Sequence, residues 1–111
     1  MSSVPAGTVL TVLTTTDAAD RARALADGAV GARLAACAQI SGPITSVYRW
    51  DGGLATDQEW QVLLKTTVER YPELEEWLVA THTYDTPEII ATPVVRGGAG
   101  YLEWVREETE R

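Results

Sequence analysis

The run ITSVYRWDGGLATDQEWQVLLKTT, residues 44–67, constrains the fold of this chain more than any other stretch. Asp51-Gly52-Gly53 is a tight-turn signal, because Asp-Gly pairs accept the positive φ angles that two-residue hairpin loops require. The extended run 44–50 enters the turn, and 57–67 returns from it with Trp60, Val62 and Leu64 alternating with Gln61, Leu63 and Lys65. Alternation with period two is the mark of a strand. Leu63 breaks the polarity of the second face, so that face is expected to be partly covered. A hairpin this long, in a chain of 111 residues, exposes edges that natural proteins pair or cover.

The flanking segments fill in an α+β pattern. Residues 8–16, with Val9, Val12 and Leu13 among threonines, read as a strand. Asp17 is a suitable N-cap for a helix over 18–32, whose buried stripe is Ala22, Leu25, Ala26 and Ala29. Gly28 and Gly31 weaken its last turns by roughly 1 kcal/mol each relative to alanine. Residues 34–40 read as a strand, with Leu34, Ala36, Ala38 and Ile40 on one face and Cys37 and Gln39 on the other, and Gly42-Pro43 bends the chain. Pro72 opens a second helix with Leu74, Trp77 and Leu78 as its stripe, fading near 81–83. Thr86-Pro87 forces extended backbone into a strand over 87–95, edge-placed by Pro93. Gly97-Gly98-Ala99-Gly100 is a connector, and 101–111 a short terminal helix.

The order β-α-β-β-α-β-α is that of a ferredoxin-like split βαβ sandwich with an extra C-terminal helix, one domain over 7–111 behind a loose leader at 1–6. Helices would lie on one face of an antiparallel sheet. Tyr48, Trp50, Trp60 and Leu63 cannot all face those helices, and a small domain rarely leaves so much apolar surface bare. A homo-oligomer with closed symmetry is the expected solution, the alternative being that the extra C-terminal helix covers the face alone.

Charge limits the partners. Nine Lys and Arg stand against sixteen Asp and Glu, a net charge of −7, which argues against nucleic acid and against anionic membranes. Cys37 is the one cysteine, so no internal disulfide is possible, and no apolar run is long enough to span a bilayer. The start MSSVPAGTV lacks a secretory pattern, and a cytoplasmic location is expected.

Chemistry-bearing residues gather in THTYDTPEI, residues 81–89, which holds His82, the chain's one histidine. His82 reads either as a ligand or as a hydrogen-bonded residue closing a helix. Cys37 reads either as a thiolate ligand or as a small buried hydrophobe. Asp85 and Glu88 are hard oxygen donors, with a turn bond near Pro87 the alternative for Asp85. A third reading gathers Tyr48, Lys65, His82, Tyr84, Glu88 and Trp104 around a small-molecule cleft between subunits. No nucleophile elbow, histidine relay or phosphate loop is present, so no enzyme is expected.

RLAACAQI (33–40), ITSVYRWDGGL (44–54), EWQVLLKTT (59–67), HTYDTPEI (82–89) and YLEW (101–104) together resemble the CutA family of divalent-cation tolerance proteins. The resemblance spans nearly the whole chain. It implies a ferredoxin-like subunit in a tight homotrimer, copper binding, and a role in tolerance of copper and other divalent cations. It implies no catalytic activity; no cofactor is expected to be required, a divalent cation, copper, being the bound species considered. His82, Tyr84, Pro87 and Glu88 match the family's H-x-Y-x-x-P-E motif, and Cys37 its A-A-C motif. Where some members have a second cysteine and a second histidine, this chain has Thr14 or a neighbouring threonine and Thr81. The resulting expectation is a trimeric, non-enzymatic protein that binds divalent cations, copper first, through His82 and Cys37. The alternative is a sensor of a metabolite or nucleotide.

Overall fold

The computed structural model describes residues 4–111. Residues 1–3 of the expected leader lie outside the described residues; Val4 packs against the core. The elements are β1 (Val9–Thr16), α1 (Ala19–Gly31), β2 (Cys37–Trp50), β3 (Gly53–Thr67), α2 (Tyr71–Thr81), β4 (Ile89–Pro93) and α3 (Ala99–Glu108). The four strands form one sheet in the order β2-β3-β1-β4, with every neighbouring pair antiparallel.

Alternation along the strands sorts the sheet into two faces. Leu10, Val12, Val62 and Leu64 point to one face, where Ala22, Leu25 and Ala29 of α1 and Leu74 and Leu78 of α2 close over them. Burying such side chains is the main source of stability in a domain of this size. The small side chains of α1 let α2 come close. A Cβ on Gly28 would lie 2.6 Å from the Trp77 ring, so the glycine that weakens the helix makes its packing possible. Asp17 does not cap α1 as expected. Ala18 is the N-cap, with no side-chain bond, and the Asp17 carboxylate reaches Arg21 instead, at 3.6 Å.

β2 also departs from expectation. The expected bend at Gly42-Pro43 is a register shift between Ser41 and Ile44 within a single strand running from Cys37 to Trp50. Gly42, at φ 152, lies under the Trp60 ring, where a Cβ would meet Cδ1 at 2.6 Å. Leu34, Ala35 and Ala36 come before the strand. Ala36 therefore joins Val9 and Val105 of α3 on the second face rather than sharing Leu34's environment.

Asp51 and Gly52, at φ 49 and 79, form the expected two-residue hairpin turn. β3 pairs with β1 only from Trp60 to Thr67, and Gly53–Glu59 has β2 as its sole strand partner. Residues 44–59 are thus an arm extending past the body of the sheet. Trp60 packs against the main core, whereas the register puts Tyr48, Trp50 and Leu63 on the opposite face.

Candidate functional site

At the base of the arm, a cleft of about 860 Å³ opens between the hairpin, the end of β1 and the connection from α2 to β4. Its composition is one-sided. Asp17, Asp57, Glu59, Asp85 and Glu88 bring five carboxylates from three parts of the chain, and no lysine, arginine or histidine lines it. Tyr48, Trp50 and Tyr84 supply the aromatic wall.

Period-two alternation puts Asp57 and Glu59 on one side of β3, the side that Ser46 and Tyr48 share across the hairpin. Two phenols hold these carboxylates in place. Tyr84 Oη donates to Glu59 Oε2 at 2.9 Å, and Tyr48 Oη donates to Asp57 Oδ2. Burial pushes the Tyr84 phenol well above the usual tyrosine range, and the Glu59 bond and nearby negative charges add to the shift. The Asp57 bond raises that of Tyr48 in the same direction. Both hydroxyls therefore keep their protons and act as donors at neutral pH. Of the five cleft carboxylates, only Asp17 has a cationic partner among the described residues, Arg21; Asp57, Glu59, Asp85 and Glu88 have none.

His82 stands behind this cleft rather than in its lining. It is the C-cap of α2, and its amide donates to Leu78 O at 2.9 Å. Its ring ties two further segments together. Nε2 lies 2.8 Å from Thr15 O of β1, and the Tyr84 amide donates to Nδ1 at 3.0 Å. A carbonyl only accepts and an amide N–H only donates, so the proton sits on Nε2 and both nitrogens are engaged. The Tyr84 ring lies 4.9 Å from the imidazole. His82 thereby sets where Tyr84 stands, and Tyr84 in turn orients Glu59.

The residues singled out in the sequence divide between two places. Tyr48, Tyr84 and Glu88 line the cleft. Cys37, Lys65 and Trp104 belong to a separate patch beside α3. There Cys37 Sγ lies 3.3 Å from Tyr101 Oη, Lys65 donates to Gln39 Oε1, and Trp104 packs near Tyr101 with ring centroids 5.6 Å apart. Cys37 is in register with Lys65, which pairs with Thr11, while His82 meets Thr15. Four residues of strand separate those levels, roughly 13 Å. One chain therefore does not place Cys37 and His82 in one coordination sphere. Among the described residues, no three His, Cys, Asp or Glu side chains form a ready metal cage. The turn bond expected of Asp85 is not made. Sequence reading missed Asp57, Glu59 and Thr15; the signal for the first two was their alternation on the return strand opposite Tyr48.

Comparison with known proteins gives this arrangement a context. The family model for the CutA1 divalent ion tolerance protein matches residues 10–108. The divalent-cation tolerance protein CutA of Thermus thermophilus is 45% identical over 98 residues, covering 88% of this chain and 95% of that protein. The human protein CutA is 39% identical over 89 residues, covering 80% of this chain but 50% of its own length. The solved structure of the Thermus thermophilus divalent cation tolerance protein superposes with a TM-score of 0.89 at 43% identity, covering 92% of this chain and 99% of that one.

Proposed function

This chain belongs to the CutA1 family of divalent ion tolerance proteins, and from that membership we propose that it is a non-enzymatic protein of cation tolerance that gathers divalent cations at the arm-base cleft. The observation that carries the reading is the set of five carboxylates around a cleft with no cationic side chain in its lining. Such a cleft concentrates positive ions. Because one chain forms no complete cage, an ion held there keeps part of its water shell, as magnesium- and manganese-type ions do on few protein oxygens.

Copper is the ion that the CutA resemblance puts first, with His82 and Cys37 as its donors. Copper at His82 has to displace either Thr15 O or the Tyr84 amide from the ring, and Cys37 cannot join it within one chain. The oxygen-lined cleft needs no such exchange, so it is the better-supported cation site. We further propose that ferredoxin-like subunits assemble as a homotrimer in the cytoplasm. The support is the sheet order β2-β3-β1-β4 and an arm whose apolar side chains have no cover within the chain: Val47 is 64% exposed, Trp50 71% and Leu54 76%.

Calorimetry with copper, zinc and manganese on the wild type, on His82→Ala and on the double variant Glu59→Gln/Glu88→Gln separates the donor sets. The proposal expects the carboxylate variant to weaken manganese and zinc binding at least about fivefold, with His82→Ala changing it little. Loss of binding in His82→Ala alone would assign the ion to the histidine instead.

A further inference from the structure

The chain holds two Asp-Gly pairs, Asp27-Gly28 and Asp51-Gly52. Such a pair carries a chemistry of its own. Glycine has no side chain to shield its amide, so that nitrogen can attack the side-chain carboxyl carbon of the aspartate before it. The fold treats the two pairs in opposite ways. Asp27 lies within α1, where the Gly28 amide is engaged in the helix ladder. Its two carboxylate oxygens are clamped by Arg23 Nε, at 2.9 and 3.0 Å. α2 packs against the helix at that point, with the Trp77 ring 2.6 Å from a Cβ built on Gly28, so the segment has little room to open. Asp51 is the reverse case. It and Gly52 are exposed at the tip of the arm, and among the described residues neither the Asp51 carboxylate nor the Gly52 amide has a hydrogen-bond partner. A Cβ built on Gly52 would meet nothing within 4 Å. Asp51 also stands at φ 49, in the left-handed region that L residues adopt at a cost. The arm below it is held by one ladder, and such a segment opens locally more readily than the body of the sheet.

We propose that Asp51 is a site of spontaneous isoaspartate formation, and that the fold confines the reaction to Asp51 while protecting Asp27. In the first step the Gly52 nitrogen bonds to Asp51 Cγ. The Cγ–OH bond of the protonated carboxyl breaks, and the hydroxyl leaves with the amide proton as water. The product is a five-membered succinimide. Water then adds to one of its two carbonyls. Attack at Cγ restores aspartate. Attack at the main-chain carbonyl carbon breaks the bond from that carbon to the Gly52 nitrogen, and the chain then runs through Cγ. Water is the only co-reactant, and nothing is oxidised or reduced. The isoaspartyl link adds one methylene to the backbone and leaves a free carboxylate on Cα. A two-residue hairpin loop depends on its length and on the φ angles of both residues. The added carbon therefore disrupts the Trp50–Gly53 pairing that closes the hairpin. The site rests on neither the cation reading nor the association reading, because the polar turn is separate from the exposed apolar side chains Val47 and Leu54.

The test holds the folded chain at neutral pH and body temperature for several weeks. It is then digested, and the peptides are mapped by a fragmentation that cleaves the isoaspartyl Cα–Cβ bond. Isoaspartate at Asp51 is expected at least about tenfold above that at Asp27. The same incubation in urea, with α1 unfolded, should bring Asp27 up to the level of Asp51. Asp51→Glu should remove the product, because the longer side chain would have to close a six-membered ring. In the aged folded protein, new amide signals should be confined to residues 49–54. The inference is overturned if Asp51 stays unmodified in the folded chain, if Asp27 reacts as fast as Asp51 there, or if Asp27 stays as slow in urea as in the fold. Equal product in Asp51→Glu would overturn it too. Product at Asp51 with unchanged amide signals over 49–54 would overturn the claim that the added carbon disrupts the turn.

Discussion

The body of the sheet and the hairpin arm are built from the same strands to opposite ends. In the body, Val12, Val62, Leu64, Leu74 and Leu78 are fully buried between the sheet and two helices, and strand pairing runs on both sides of β1 and β3. In the arm, residues 44–59 are held by a single ladder, and large apolar side chains face outward. A sequence that buries its leucines so completely in one half does not leave Trp50 and Leu54 bare by default. The body carries the stability, and under the proposed homotrimer the arm carries the association, with the cleft at their junction.

The widest gap between the regions should appear on truncation. Leu64→Ala or Leu74→Ala should cost about 2–5 kcal/mol in urea unfolding, against less than about 0.5 kcal/mol for Leu54→Ala compared within dissociated chains. Equal costs would erase the distinction. The complementary change is Val47→Lys with Leu54→Lys, which should leave far-UV circular dichroism intact. By light scattering it should lower the particle mass from about three times the 12.0 kDa chain to a single chain. A wild type already at 12.0 kDa would remove association from the arm's account.

The junction itself is tested by Gly42→Ala. Its φ of 152 and the Trp60 ring 2.6 Å from a built Cβ lead to an expected loss of about 1–3 kcal/mol. A smaller effect of the opposite sign is expected in the body. The Thr14 hydroxyl is buried with no partner among the described residues, so Thr14→Val should stabilise by up to about 1 kcal/mol.

Alkaline pH gives the most graded comparison. Burial, with the Glu75 bond adding to it, pushes the Tyr71 phenol up to about 12, and the Cys37 contact and burial push Tyr101 to about 12. Unfolded tyrosines titrate near 10, so the folded state holds these protons more tightly. Their stabilisation is complete below about pH 10 and is lost as the pH rises toward 12. Melting temperature should fall across that window, and less steeply in Tyr71→Phe and Tyr101→Phe.

Much of the body was legible in the sequence because periodicity and burial agree there. The stripe Ala22, Leu25, Ala26 and Ala29, the Asp51-Gly52 turn and the order of elements all follow from local pattern. The Ser41–Ile44 irregularity was not legible as a bulge within one strand, since Gly-Pro signals a break without saying whether pairing resumes. The site was harder because it is made by juxtaposition. Asp17 reads locally as a cap, yet it lines a cleft with Asp57, Glu59, Asp85 and Glu88, all distant from it in sequence. His82 attracted a metal reading from its side-chain type, its carboxylate neighbours and the family motif it matches. Thr15 O and the Tyr84 amide, which occupy its ring, are backbone groups that no side-chain pattern reveals.

The most direct measurement is where a divalent cation sits on the folded protein. Substoichiometric manganese added to isotope-labelled protein broadens the amide signals nearest the ion. Broadening centred on Thr15, Asp57, Glu59 and Glu88, and relieved in Glu59→Gln/Glu88→Gln, is the result expected of a cation cleft at the base of the arm. Broadening centred on Cys37 and Lys65, or spread evenly over the exposed carboxylates of α2, would contradict it.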